Sequence, residues 1–122
     1  MELRFQVECQ NDVAIVRCAG RMVRGTALDE FRRQVESLAH LRILVVDLSA
    51  VEQVDAGGLG ILLLVRRWAR QNSVQMKLAN PSAFVMRLLE ATRLTSVFEV
   101  SSLEEALCIL QAPGDRPQYA VA

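Results

Sequence analysis

The 122-residue sequence has little of what catalytic and metal-binding sites are usually built from. It contains a single histidine and three cysteines, and no two of the cysteines form a C-x-x-C pair. The spacing expected of metal ligands is therefore absent, and no nucleophile can be paired with a base along the chain. These absences predict a protein that is not an enzyme, that holds neither a metal nor a cofactor, and whose cysteines are reduced.

An excess of charge and a long hydrophobic run are also missing. Lys+Arg and Asp+Glu number 14 each, which argues against a dedicated nucleic-acid binder because such a protein needs a basic surface for phosphates. The longest aliphatic run, residues 61–65, is far shorter than the roughly 20 residues of a membrane span. No basic and apolar leader precedes the first strand-like segment. We therefore expect a cytoplasmic protein that does not insert into a membrane.

What the sequence does contain is a regular alternation of strand-like and helix-like segments. Residues on both sides of the turn signal at 10–12 alternate between apolar and polar, which predicts a hairpin. From Thr26 onward, apolar residues recur every three or four positions, as in an amphipathic helix. The predicted strands are 3–9, 13–19, 42–48, 74–78 and 97–100, and the predicted helices begin near residues 26, 57, 80 and 102.

This order of segments predicts one α/β domain over residues 1–112, with a mixed β-sheet and about four α-helices. Strands that alternate with helices pair in parallel, and the N-terminal hairpin adds an antiparallel edge. Residues 20–25 are predicted to be a loop. Asn80 and Pro81 are predicted to cap and open the third helix, and Ser102 and Glu105 form a capping box for the fourth. Residues 113–122 are predicted to be a mobile tail.

The stretch VDLSAVEQVDAGGLG, residues 46–60, is the most informative part of the chain. Asp55 stands at the N-cap position of the second predicted helix, where its carboxylate can accept from the backbone N–H of Gly57 or Gly58. Glycines at such a point indicate a close approach by a phosphate, a partner protein or the neighbouring strand. The patterns of nucleotide-binding loops are absent, so the last two possibilities are favoured.

The second predicted helix has an apolar core side and an unusual outer stripe. At about 100° per residue, the core side contains Gly58, Ile61, Leu62, Val65 and Ala69. The stripe almost opposite consists of Leu59, Leu63, Arg66 and Arg70. Folding alone does not require leucines at two successive turns of an outer face. Either another helix covers them, or they are harmless single exposures, or they form a small docking stripe.

These segments resemble a STAS domain, the fold of the bacterial anti-sigma factor antagonists, from about residue 3 to residue 110. The resemblance is carried chiefly by the strand V-D-L-S at 46–49 followed by D-x-x-G-L-G at 55–60, and also by Asn80-Pro81 and by residues 89–98. In phosphorylated members, a serine at the position of Gly57 is the substrate of a partner kinase. Here Ala56 and Gly57 carry no hydroxyl, so the resemblance implies the docking surface without the phosphoserine switch.

The resemblance implies an interaction module whose partner is a kinase-type anti-sigma factor or a related signalling protein. An accessory subunit of a membrane transport ATPase, for example one that moves lipids, is the alternative, and a sensor of small anions at the start of the second helix is a third possibility. Dimer formation is left open. The predicted partner-binding residues are Asp55, Ala56, Gly57, Gly58, Leu59, Leu63, Arg66 and Arg70.

Overall fold

The computed structural model describes residues 2–102 and 104–106. Residues 104–106 are helical and begin a fourth helix, α4. Its predicted end at residue 110 and the predicted tail at 113–122 lie outside the described residues. The other elements, in chain order, are β1 (Arg4–Gln10), β2 (Val13–Met22), α1 (Thr26–Glu36), β3 (Ile43–Val54), α2 (Ala56–Gln71), β4 (Gln75–Ala79), α3 (Ala83–Ala91) and β5 (Glu99–Ser101).

The five strands form one sheet in the order β1-β2-β3-β4-β5. β1 and β2 pair in antiparallel register, with Arg4 opposite Ala19 and Gln10 opposite Val13. All other neighbouring strands are parallel. The predicted mixed sheet with an N-terminal hairpin is therefore confirmed. Because α1, α2 and α3 all contribute inward residues to a single core, they lie on the same face of the sheet, as crossovers of one hand between adjacent parallel strands require.

The main core lies between this face of the sheet and the three helices. Phe31 of α1 is fully buried, and its ring meets that of Phe5 of β1 edge to face, with ring centroids 5.6 Å apart. The two rings tie the hairpin to the first helix. The inward residues of the helices repeat every three or four positions, as the sequence predicts. They are Leu28, Phe31 and Val35 of α1, Leu62, Val65 and Ala69 of α2, and Val85 and Leu89 of α3.

The opposite face of the sheet carries a smaller core, with Val13, Ile43, Val45 and Ala79 packed with Ala106 of α4. Ser102 and Glu105 form the predicted capping box at the start of α4. The Ser102 N–H donates to Glu105 Oε1 at 2.9 Å, and the Glu105 N–H donates to Ser102 Oγ at 3.0 Å. The reciprocal pair satisfies two N–H groups that a helix start leaves without partners.

β2 and β3 are both longer than the sequence predicts. Residues 19–22 of β2, predicted to enter a loop after 19, pair in parallel with residues 50–54 of β3, predicted to end at 48. The added part of β3 contains exposed residues such as Glu52 and Gln53 between the buried Val51 and Val54. The polar side chains of this part of β3 interrupt the hydrophobic pattern from which a strand is predicted, but its backbone still pairs with β2. As a result, only Asp55 separates β3 from α2.

The start of α3 also differs from the prediction by two residues. Ser82 is the N-cap, and its Oγ accepts from the Val85 N–H at 3.3 Å. Asn80 and Pro81 precede the helix, and Asn80 has a left-handed φ of 49°. The Ser82 hydroxyl also donates to the Val51 carbonyl at 3.1 Å. This hydrogen bond fixes the start of α3 against the added part of β3.

Candidate functional site

Asp55 joins three segments at the start of α2. Its Oδ1 accepts from the Gly58 N–H at 2.7 Å, which confirms the predicted N-cap, and its Oδ2 accepts from the Arg24 N–H in the β2–α1 loop at 3.1 Å. Its own N–H donates to the Met22 carbonyl at 3.3 Å. The hydrogen bond from Gly58, followed by that from Arg24, lowers the pKa of the Asp55 carboxyl. The carboxylate therefore holds the protein's own loops together.

Gly58 is buried, and what approaches it is the neighbouring strand. A Cβ added to Gly58 would collide with the Met22 carbonyl oxygen, and the Met22 carbonyl carbon would lie only 2.9 Å from it. Real Cβ atoms essentially never come that close to another atom. Gly58 therefore offers no surface to a partner, which corrects its inclusion among the predicted partner-binding residues. Its role is to let α2 pass close to the end of β2.

Ala56 and Gly57 remain at the surface beside this junction. Ala56 is exposed and Gly57 is half-buried. A Cβ at Gly57 would lie 3.2 Å from the Cβ of Arg24 and 3.3 Å from Asp55 Oδ1. Position 57, which the family resemblance matches to the phosphoserine of phosphorylated members, is therefore lined by the Arg24 side chain. Sequence analysis does not identify Arg24, because its contact with Gly57 forms only when β2 and β3 pair.

The four residues of the outer stripe of α2 differ in exposure: two are exposed to solvent and two are half-buried. Leu63 is 36% exposed and Arg70 is exposed, as predicted. Leu59 and Arg66 are half-buried, and the Arg66 Nε donates to the Val97 carbonyl, in the loop between α3 and β5, at 2.9 Å. The stripe therefore lies on the flank of α2 that faces α3, rather than opposite the core.

Phe84, in the first turn of α3, is the most exposed of the large apolar side chains that the structure describes, at 42%. Phe84 could have been identified from the sequence, because it is an aromatic residue that does not occupy one of the inward positions of α3, Val85 and Leu89. α2 packs against α1 on its other flank. No helix within residues 2–102 and 104–106 is both long and apolar enough to cross a membrane.

Comparison with known families gives a match to the STAS domain over residues 4–106. A STAS-domain containing protein of Pseudomonas aeruginosa (strain UCBPP-PA14) is 34% identical over 87 residues, which cover 70% of this chain and 85% of that protein. A probable sulfate transporter of Arabidopsis thaliana is 28% identical over 83 residues. Those residues cover 68% of this chain, which spans only 13% of the transporter.

Among solved structures, the anti-sigma factor antagonist SpoIIAA in its unphosphorylated form matches with a TM-score of 0.76 and 19% identity. The match covers 88% of this chain and 96% of SpoIIAA. A putative anti-sigma factor antagonist from Thermotoga maritima matches with a TM-score of 0.77 and 20% identity, covering 88% of this chain and 95% of that protein. At these identities the likeness shows a common fold.

Proposed function

Since the chain belongs to the STAS domain family, we propose that it is a non-enzymatic, cytoplasmic interaction module that docks through α2 onto an anti-sigma factor or a related signalling protein. This proposal is supported chiefly by the exposure of Leu63 and Arg70 on α2, the helix that begins at the Asp55 junction. A folded domain gains nothing from a solvent-facing leucine, whereas a partner gains from its burial. The resemblance of the fold to anti-sigma factor antagonists supports the choice of partner.

The proposed module works without a phosphoserine switch at the start of α2. In a switched module, phosphate adds charge at the docking surface and prevents the fit. Ala56 and Gly57 offer no hydroxyl to a kinase. In this proposal the surface stays in its binding form, because phosphorylation at positions 56 and 57 cannot control the complex.

A second candidate is an accessory subunit of a membrane transport complex. The specific observation in its favour is the similarity to a probable sulfate transporter of Arabidopsis thaliana, of which this chain spans 13%. Docking would use the same face of α2, and the partner would be a transporter component. The third possibility, an anion sensor, has less support, because the Asp55 carboxylate already accepts from the Gly58 N–H and would repel an anion.

Capture of the partner from native lysate tests the proposal. The wild-type chain is expected to retain a kinase-type anti-sigma factor, and Leu63→Glu is expected to lose it, since an unpaired carboxylate in an apolar contact costs a few kcal/mol. Val100→Glu is the matched control, because Val100 is 37% exposed, like Leu63 at 36%, but lies on β5. A transporter component captured in the same way would support the second candidate.

Two results would contradict docking through α2. Capture that survives Leu63→Glu in a folded protein would show that the partner binds elsewhere. Equal loss with Val100→Glu would show that any added surface carboxylate is harmful. Circular dichroism of each variant checks that its fold is intact.

A further inference from the structure

The charges of the protein are unevenly distributed among the helices. The whole chain is neutral, and α1 carries acidic and basic residues that pair with each other, as Arg32 does with Glu36 and Arg33 with Glu30. α2 and α3 differ, because their charged residues are four arginines and one glutamate: Arg66, Arg67, Arg70, Arg87 and Glu90. The outer side of these two helices is therefore strongly basic on a neutral molecule.

Three of these arginines have no ion-pair or hydrogen-bond partner in the part of the chain that the structure describes. Arg67, Arg70 and Arg87 are exposed, and none of them forms an ion pair or hydrogen bond with any residue in 2–102 or 104–106. Both arginines of α1, Arg32 and Arg33, are by contrast paired. Unpaired like charges on adjacent helices repel each other. An acidic partner would turn this repulsion into attraction.

Apolar side chains lie between the same two helices. α2 and α3 follow the carboxyl ends of the parallel strands β3 and β4, and their inward residues share one core. Because Arg66 reaches the Val97 carbonyl, the flank of α2 with Leu59 and Leu63 faces α3. At about 100° per residue, Phe84 and Leu88 lie on the flank of α3 that faces α2.

We call the apolar strip formed by these two flanks, together with the exposed arginines beside it, the α2–α3 groove. Leu59 and Leu88 are half-buried and pack against the core, while Leu63 and Phe84 are exposed. An amphipathic helix can place its apolar face into such a groove. A planar lipid surface cannot follow the groove to its half-buried floor, and a nucleic acid would use the arginines but not the leucines. The combination of apolar floor and basic rims favours a protein helix.

We propose that the α2–α3 groove binds an acidic, amphipathic helix of the partner protein, with its apolar side chains against Leu63 and Phe84 and its carboxylates against Arg70 and Arg87. This inference rests on the proposed function, since it uses α2 as the docking helix. It adds α3 to the surface and specifies the chemistry of the partner. Complementary charge fixes the orientation of the helix and speeds its encounter with the groove.

Site-specific photo-crosslinking in the native cells tests the groove. Leu63→p-benzoylphenylalanine and Phe84→p-benzoylphenylalanine place the probe on its two sides, and Val100→p-benzoylphenylalanine is the exposed control outside it. The expected result is that both groove positions crosslink to one segment of one protein, that this segment has a net negative charge, and that the control position does not crosslink to it.

The outcomes separate this inference from the proposed function. Products from position 63 but not from position 84 would retain docking through α2 and overturn the groove. Absence of products from both positions would overturn both proposals. A neutral or basic segment, a lipid or a nucleic acid as the crosslinked species would overturn the proposed partner chemistry, as would equal labelling from position 100.

The charge requirement is then measured with a synthetic peptide of the crosslinked segment. Arg70→Gln combined with Arg87→Gln is expected to weaken binding at least tenfold and to reduce its sensitivity to salt. Arg32→Gln combined with Arg33→Gln removes the same total charge from α1 and is expected to change the affinity less than twofold. Equal weakening by the two pairs would show that net charge, not the groove, attracts the peptide.

Discussion

The main chain of Gly58 lies directly against the carbonyl group of Met22, with no space for a side chain between them. The contact brings the first turn of α2 onto the last residue of β2. Asp55 secures the same point, because its N–H donates to the Met22 carbonyl and its carboxylate accepts from the Gly58 N–H. The start of the docking helix is thus fixed by the protein itself, before any partner binds.

Gly58→Ala is expected to destabilise the fold by about 3 kcal/mol or more, because its methyl group would force α2 away from β2. Gly60→Ala is the matched control within the same helix. A Cβ at Gly60 meets nothing within 4 Å, so we expect that change to raise stability by about 0.5–1 kcal/mol. Urea unfolding measures both values. Equal effects of the two changes would contradict the close approach at Gly58.

Asp55→Ala is expected to lower the free energy of unfolding by about 1 kcal/mol or somewhat more, since it removes a helix N-cap. It also leaves the Arg24 N–H without its acceptor. Asp29→Ala, which removes a carboxylate from the first turn of α1 without removing a cap hydrogen bond, is expected to cost less. Thermal unfolding at neutral pH compares the two variants, and an equal loss in both would show that Asp55 acts by charge alone.

The stabilisation by Asp55 is expected to depend on pH. The pKa of this carboxyl is lowered in the folded protein, chiefly by the hydrogen bond from Gly58 and then by that from Arg24. The folded state therefore binds fewer protons at Asp55 than the unfolded state does. The stabilisation is complete above the ordinary aspartate range, and it is lost as the pH falls through that range to the folded pKa. The difference between wild type and Asp55→Ala should narrow on acidification, and a constant difference would contradict this mechanism.

Cys9 and Cys18 are expected to differ in reactivity toward iodoacetamide. Cys9 is exposed on β1, whereas Cys18 is buried on β2. Burial, with a smaller contribution from the charge of Asp47, raises the pKa of the Cys18 thiol to about 12. Peptide mapping after treatment of the native protein at pH 8 should find Cys9 alkylated and Cys18 protected, with both alkylated in urea. Modification of native Cys18 at the rate of Cys9 would contradict its burial.

Much of the fold follows from hydrophobic periodicity, because buried side chains repeat with the period of their element. The apolar run at 43–46 predicts a strand buried on both faces, and it is one. The ends of elements are less predictable. The last part of β3 is held by backbone pairing with β2, so Glu52 and Gln53 give no pattern that marks a strand. Likewise, Ser82 becomes the N-cap of α3 instead of Asn80 because its hydroxyl also reaches Val51.

The candidate site also has some features that the sequence predicts and others that depend on the fold. Exposure of Leu63 and Arg70 follows from the helical period of α2 alone. The burial of Gly58, the contact of Arg24 with Gly57 and the hydrogen bond from Arg66 to Val97 depend on how separate elements meet. The positions of Arg67, Arg70 and Arg87 can be read from the sequence, but their lack of a partner among the described residues cannot, because it depends on which acidic residues the fold brings near them.

The strands occupy the sheet in the same order in which they occur along the chain. Neighbours in sequence are therefore neighbours in space, and both walls of the groove are encoded in one uninterrupted stretch, residues 56–91. Substitutions at the exposed positions of this stretch can therefore change the surface while the hairpin and α1 are left untouched. Relatives with this layout can thus diverge in what they recognise through changes confined to a single short portion of the gene.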